Sequence, residues 1–161
     1  MKNNTTPTWG VRNNNPGNIR LSKSFTWKGE MTQGLDKDFC VFDKMENGLR
    51  AIFRLLANYH ILHGVNTIAQ IFQRYAPPSE NHTTVYAKWV VDAMRDKGFM
   101  DLNIGTLLNW HDRNQMMALV ECICQYESCY VPSKRDLRRA YECGMGQLIV
   151  PSDRVPDVCK T

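Results

Sequence analysis

From Met45 onward the chain is dominated by apolar residues at helical spacing, and this pattern is interrupted by helix-breaking residues. Apolar side chains that recur at positions i, i+3, i+4 and i+7 lie on one face of an α-helix. Gly64, the Pro77-Pro78 pair and Pro132 divide the region, because glycine commonly ends a helix and proline disrupts its backbone hydrogen bonds. The sequence therefore predicts a succession of short amphipathic helices and a fold that is mainly α.

The bounds of these helices follow from capping residues and breakers. We expect the first helix, from Met45 to Gly64, to be a core element with no part in chemistry. The helix from Ser79 would have Glu80 in or near its first turn, where a carboxylate is favoured by the helix dipole. The full set of expected helices covers residues 45–64, 66–76, 79–98, 102–108, 112–127 and 134–143.

A small β element is expected before the helices. Residues 25–42 contain aromatic residues in alternation and a turn at Gly34, which is typical of a short β-hairpin. Residues 1–12 are predicted to be a flexible start, and residues 150–161 an irregular tail. The 161 residues are then expected to form a single domain with a small α+β fold.

Composition narrows the class of partner. The net charge of +4 favours an anionic partner such as a bacterial wall polymer. Nucleic acid is not expected, because the arginines of residues 135–139 are interpreted as a solvated helix face. No apolar run reaches the roughly 20 residues of a membrane helix. The first residues also lack the apolar core of a secretory signal, so the protein is expected to be made in the cytoplasm without a signal peptide.

The six cysteines are interpreted mainly as reduced thiols. The spacing of Cys122, Cys124 and Cys129 is not the usual one for a zinc site. Two cysteines two positions apart on a helix also point to different faces. We therefore predict no metal, and the sequence carries no motif for a cofactor.

The segment Asn13–Arg20 is dense in residues that favour turns. Proline fixes φ, glycine accepts positive φ, and asparagine tolerates the left-handed region while it bonds to nearby backbone. The amides and backbone groups of such a loop suit a ligand rich in hydroxyl and amide groups, such as a sugar. The alternative is a tight surface turn with no binding role.

Two glutamates are candidates for acid chemistry. On a helical wheel, Glu127 falls near the centre of the apolar stripe of the 112–127 helix. Burial raises the pKa of a carboxylic acid, and a proton retained near neutral pH is what a general acid needs. The alternative is that Glu127 lies at a frayed helix end. Glu80 is either a second catalytic carboxylate or an N-terminal helix charge.

Several blocks together resemble a family of phage and prophage proteins with a lysozyme-like domain. The resemblance covers roughly residues 11–145. The blocks that carry it are Asn13–Arg20, Trp27-Lys28-Gly29, Phe39–Phe42, Gly48–Ala51, Asn66-Thr67-Ile68 and Tyr75–Thr83.

The wider superfamily includes lytic transglycosylases and flagellar-type N-acetylglucosaminidases, in which a helix ends in a catalytic Glu followed by Ser or Gly, ahead of an Asn-rich loop. Here no Glu precedes the Asn-rich loop, but the later helix ends in Glu127-Ser128. The resemblance therefore implies a circularly permuted lysozyme-like fold, with the catalytic helix in the C-terminal half. Nearby termini make such a permutation feasible.

The implied function is cleavage of the β-1,4 glycan strand of peptidoglycan, with Glu127 as general acid. Asn15, Asn18 and Arg20 are expected to shape the substrate cleft together with Asn81 and Tyr86. A second acid at Glu80 would make the protein a hydrolase whose stereochemistry depends on the carboxylate separation. Without it, the resemblance implies transglycosylase chemistry assisted by the substrate's acetamido group.

A catalytically inactive wall-binding or virion structural module is the alternative. The expected site of action is the bacterial cell wall, reached in a virion, after holin-dependent release, or by a secretion system. In the last case an immunity protein is an expected partner.

Overall fold

A computed structural model describes residues 6–32, 35–76, 83–146 and 148. This part of the chain is mainly helical, which confirms the predicted class. A π-helical segment, Glu142–Gly146, continues directly from the last α-helix. The α-helices are α1 (Trp9–Arg12), α2 (Met45–His63), α3 (Ile68–Tyr75), α4 (Thr83–Asp96), α5 (Arg113–Ser128) and α6 (Lys134–Tyr141).

The helix caps follow largely from local sequence. Asp112 and Ser133 cap α5 and α6, and each accepts a hydrogen bond from the backbone N–H three residues later. Gly64 ends α2 in the left-handed conformation, with φ of 65°. Helix α3 begins later than the expected residue 66, because Thr67 is its cap and the Thr67 hydroxyl accepts from the Gln70 N–H.

Helix α5 lies at the centre of the core. It contacts α4, α6, α1 and α2, and Leu119, Cys122, Ile123 and Cys124 are fully buried. Cys122 and Cys124 are two positions apart, and both are buried because neighbouring helices cover α5 on several sides. The end of α5 is therefore positioned by packing along most of its length.

No β-strand forms in the described residues of the predicted hairpin. Two isolated antiparallel bridges, Arg20 with Phe39 and Glu30 with Phe42, are found there instead. The Phe42 N–H donates to the Asn13 carbonyl at 2.9 Å, and the Asn14 side chain donates to the Phe42 carbonyl at 3.1 Å. The segment thus pairs partly with the Asn-rich loop rather than only with itself. The predicted turn at Gly34 lies outside the described residues.

Two other expectations are corrected. Residues 9–12 form a helical turn, and the Thr8 hydroxyl before it donates to the Ser128 carbonyl at 2.7 Å. The start of the chain is therefore anchored to α5 from residue 8. Residues 102–108 form turns rather than a helix, because the Asn103 side chain accepts from the Gly105 N–H at 2.9 Å and competes with helical bonding. The tail expected to be irregular lies outside the described residues.

The cysteines differ from one another. Cys40, Cys122 and Cys124 are free and buried, Cys129 is free and exposed, and Cys143 is disulfide-bonded. Four free thiols agree with the expectation of mainly reduced cysteines, and the bonded Cys143 is an exception to it. Within the described residues there is no group of three or more His, Cys, Asp or Glu side chains that could hold a metal. No helix in this part of the chain is long and apolar enough to cross a membrane.

Candidate functional site

The Asn-rich loop is closed by one of its own side chains. Asn15 is fully buried, and its amide donates to the Ile19 and Cys40 carbonyls at 2.9 Å each while its oxygen accepts from the Ile19 N–H. These bonds leave Asn15 no access to a ligand. Its predicted role in contacting substrate is therefore corrected to one of holding the loop together.

Two other asparagines in the loop adopt the left-handed conformation. Asn14 has φ of 50° and Asn18 has φ of 47°. Asparagine tolerates this region better than most residues with a side chain. The loop can therefore turn twice in six residues, and the second turn directs Asn18 toward the end of α5.

The end of α5 is fixed rather than frayed. The Ser128 hydroxyl is buried and donates to the Pro16 carbonyl at 2.8 Å. Cys129 is left-handed and its N–H donates to the Gln125 carbonyl at 3.0 Å, which closes the last turn. A Cβ atom at Gly10 would lie only 2.0 Å from the side-chain oxygen of Ser128, Oγ. Glycine at position 10 is therefore required for this close packing.

Asn18 and Glu127 are in direct contact. The Asn18 amide nitrogen lies 3.1 Å from the Glu127 backbone oxygen and 3.1 Å from a carboxylate oxygen, Oε2. The two residues are 109 positions apart in the sequence, and Glu127 is partly buried. The expected juxtaposition of the loop with the Glu127 carboxylate is thus present in the structure.

A cleft of about 300 Å³ opens beside this pair. Glu127 is the only carboxylic acid among the described residues that line it. Aromatic side chains and two arginines make up much of the remaining wall. The lining consists of Asn18, Ile19, Arg20, Phe25, Trp27, Phe39, Leu55, Tyr59, Arg74, Tyr75, Ala76 and Glu127.

Tyrosines support the Glu127 side of the cleft. The Tyr75 hydroxyl donates to the Gly17 carbonyl. Tyr86 stacks between Phe72 and Tyr126, with ring centroids 4.2 and 3.8 Å away. Burial raises the pKa of both tyrosines well above its usual value, and the Glu127 charge raises it further. Both hydroxyls therefore stay protonated at neutral pH.

Tyr86 does not line the cleft as predicted. Only 2% of its surface is exposed. Its hydroxyl lies close enough to the Glu127 carboxylate to interact with it, without the geometry of a good hydrogen bond. Tyr86 therefore packs behind the carboxylate, and the expected substrate contact from this residue is corrected.

The other predicted residues divide into two groups. Arg20 lines the cleft, and its guanidinium lies over the Phe39 ring, 5.0 Å from the centroid. Glu80 and Asn81 lie outside the described residues. The structure therefore gives no geometry for a second acid at Glu80.

Part of the cleft wall consists of residues that were not predicted from the sequence. Leu55 and Tyr59 reach it from α2, although that helix was expected to have no part in chemistry. Arg74 comes from the last turn of α3, and its guanidinium lies over the Tyr59 ring, 5.8 Å from the centroid. A tyrosine near the end of an otherwise non-polar stripe was the available signal, because its polar hydroxyl favours a position at the edge of a core.

Comparison with known proteins gives one similarity to a phage protein. The chain is 38% identical over 85 residues to Protein P5 of Pseudoalteromonas phage PM2, which is 52% of this chain and 53% of that protein. The match thus spans about half the length of the relative. No family model matches the chain.

Proposed function

We propose that this protein cleaves the β-1,4 glycan strand of peptidoglycan, with Glu127 as the general acid. The observation that carries the proposal is a partly buried carboxylate, bonded by Asn18, on the wall of an aromatic-lined cleft. Aromatic side chains offer apolar faces with polar edges, which suits the faces of sugar rings. The resemblance to lysozyme-like phage proteins supports the same assignment, and the similarity to a phage protein supports an association with phage.

In the proposed reaction, the Glu127 carboxyl transfers its proton to the glycosidic oxygen. The bond between the anomeric carbon and that oxygen breaks, and its electron pair remains on the leaving oxygen. The Glu127 carboxylate then faces the positive charge that develops on the sugar. Asn18 would hold the carboxyl group in one orientation during this step, which is a contribution of positioning.

The product depends on which group attacks the anomeric carbon as the glycosidic bond breaks. Since Glu127 is the only acid among the described lining residues, we favour assistance by the substrate's own acetamido oxygen, which bonds to the anomeric carbon. The sugar's 6-hydroxyl then displaces that oxygen from the anomeric carbon and gives its proton to the Glu127 carboxylate, which restores the acid. That route gives a 1,6-anhydro product. A reducing-end product would instead assign hydrolysis, with Glu80 as the first candidate for the second acid.

We also propose that the domain has a lysozyme-like fold. Helix α5 supplies the terminal Glu-Ser pair, and the Asn-rich loop that meets it comes from the other end of the chain. This arrangement supports a lysozyme-like domain whose catalytic helix follows, rather than precedes, its loop.

The direct test replaces Glu127 with glutamine. Glu127→Gln should remain folded, because the new side chain keeps an oxygen that accepts from Asn18. We expect the rate of muropeptide release from purified sacculi to fall by about 100- to 10,000-fold. Glu121→Gln is the matched control. Glu121 lies on the same helix and pairs with Lys97 at 3.1 Å, and it does not line the cleft. Wild-type activity in a folded Glu127→Gln protein would refute the assignment.

A second candidate is a wall-binding module carried in a virion, and the similarity to a phage protein is compatible with it. The same assay separates the two. Wild-type protein that sediments with intact sacculi but releases no muropeptides would assign binding without turnover, and Glu127 would then be a structural residue of the helix end.

A further inference from the structure

One of the six cysteines in the sequence differs chemically from the thiols described above. Cys143 is disulfide-bonded. The cysteines that are free are Cys40, Cys122, Cys124 and Cys129. Because a disulfide joins two cysteines, the partner of Cys143 is not one of these four. The remaining cysteine of the chain is Cys159, which lies outside the described residues.

The segment that carries Cys143 is packed tightly against α2. This π-helical segment, Glu142–Gly146, contains Met145, which is 1% exposed. A Cβ atom at Gly144 would lie 2.7 Å from the Arg50 carbonyl oxygen and 2.9 Å from the Phe53 Cβ atom. The backbone at position 143 is therefore held in place by its neighbours. Cys143 also lines a cavity of about 310 Å³, which gives a second segment of chain a route to its side chain.

We propose that Cys143 is bonded to Cys159 and that this bond is a redox-dependent clasp between the end of the helical core and the C-terminal segment. The bond joins two positions that are 16 apart in the sequence, from 143 to 159. This inference does not depend on the proposed cleavage, and it assigns a state of the chain that changes with the redox conditions around it.

Formation of the clasp is an exchange between thiols and a disulfide. The thiolate of one cysteine attacks a disulfide of an oxidant, such as oxidised glutathione, and displaces one of its sulfurs as a thiol. The second cysteine then displaces the other sulfur, and the new S–S bond forms. The chain loses two electrons and two protons, and the oxidant is reduced to two thiols. Disulfides are rare in a reducing cytosol, so we expect two thiols there and the bond in an oxidising compartment.

The clasp should stabilise the fold without touching the candidate cleft. Closing a loop of this length restricts the unfolded chain, which raises the free energy of unfolding. It also restrains the segment that packs on α2, and the same helix supplies Leu55 and Tyr59 to the cleft. Stability in urea should therefore depend on whether the bond is formed.

The full chain tests the inference in two measurements. Protein oxidised with a glutathione disulfide buffer is alkylated and digested without reduction, and its peptides are mapped by mass spectrometry. We expect one linked pair that contains Cys143 and Cys159 and that separates when a phosphine reductant is added. The urea midpoint of the oxidised protein should exceed that of the reduced protein by about 1–2 M.

Two variants keep the test specific. In Cys159→Ser the midpoint should be the same with and without reductant and should match that of the reduced wild type. Cys129→Ser is the matched control, because Cys129 is an exposed free thiol, and it should keep the full difference between the two states.

The inference is overturned by any of four results. In the oxidised protein, Cys143 could be recovered as a free thiol, or be linked to a cysteine other than Cys159 of the same chain. In the urea series, wild type could have equal midpoints in the two states, or Cys159→Ser could keep a redox-dependent difference.

Discussion

Replacing Asn18 with glycine should separate the effect of its side-chain hydrogen bonds from the effect of its backbone conformation. Asn18 has φ of 47°, a conformation that glycine adopts without strain. Asn18→Gly keeps the path of the loop and removes the contacts to the Glu127 backbone oxygen and carboxylate, at 3.1 Å each. The test therefore isolates the contact that, in our proposal, orients the acid.

The expected loss of stability can be worked from these contacts. A hydrogen bond to a neutral group contributes about 1 kcal/mol and one to a charged group about 1.5–3 kcal/mol. The site is partly exposed, which reduces the second figure. Relief of left-handed strain at position 18 offsets the loss in part, while the greater freedom of glycine in the unfolded chain adds to it. We expect a net decrease of about 2 kcal/mol in the free energy of unfolding, measured in urea.

The expected loss of activity is larger. Without the amide donor, the Glu127 carboxyl loses one of the contacts that orient it, and a misplaced catalytic group costs about 100-fold in rate. Initial rates of muropeptide release are compared for wild type and Asn18→Gly, under conditions where both are fully folded.

Asn14→Gly is the control. Asn14 is also left-handed, with φ of 50°, and its side chain donates to the Phe42 carbonyl at 3.1 Å rather than to Glu127. It should lose about 1 kcal/mol in stability and retain its activity. If Asn18→Gly cleaves as fast as Asn14→Gly, the orienting role of Asn18 is refuted.

Three further predictions concern packing and ionisation. Gly10→Ala places a Cβ atom 2.0 Å from the Ser128 oxygen, so it should lower stability in urea by about 1–3 kcal/mol; an unchanged midpoint would contradict the close docking of α5. Among the described free thiols, Cys129 alone should react rapidly with a thiol reagent in the native protein at about pH 8, because the others are buried; rapid labelling of Cys40, whose pKa burial raises to about 12, would contradict this. Burial also raises the pKa of Tyr59 from 10.0 to about 12, so its contribution to stability is complete below pH 10.0 and is lost as the pH rises toward about 12. Urea midpoints across this range should fall less steeply in Tyr59→Phe, and identical slopes would contradict the assignment.

The elements that the sequence predicts well are those decided by neighbouring residues. The caps at Asp112 and Ser133 bond to backbone N–H groups three positions away, so a short window contains both partners. The hairpin was predicted only in part, since Glu30 and Phe42 form a single antiparallel bridge, and the reason is the opposite one. Phe42 pairs with Asn13 and Asn14, and alternation of residues within 25–42 carries no information about such distant partners.

The same distinction applies to the site. The position of Glu127 on the buried side of α5 follows from helical periodicity, but its contact with Asn18 depends on docking between distant parts of the chain. The composition of the loop does not show which of its asparagines is buried and holds the loop together, and which one lies at the cleft. In the structure, Asn15 is the buried one. Tyr59 on α2 and Arg74 on α3 come together at the cleft only in the folded chain, and the periodicity of either helix carries no information about that contact.

Mass spectrometry of the products from purified sacculi tests the central claim most directly. Wild-type protein should release muropeptides cut at a β-1,4 bond and ending in a 1,6-anhydro sugar, while Glu127→Gln should release almost none. Glycan strands left intact by folded wild-type protein, or the same products at the same rate from Glu127→Gln, would contradict the account.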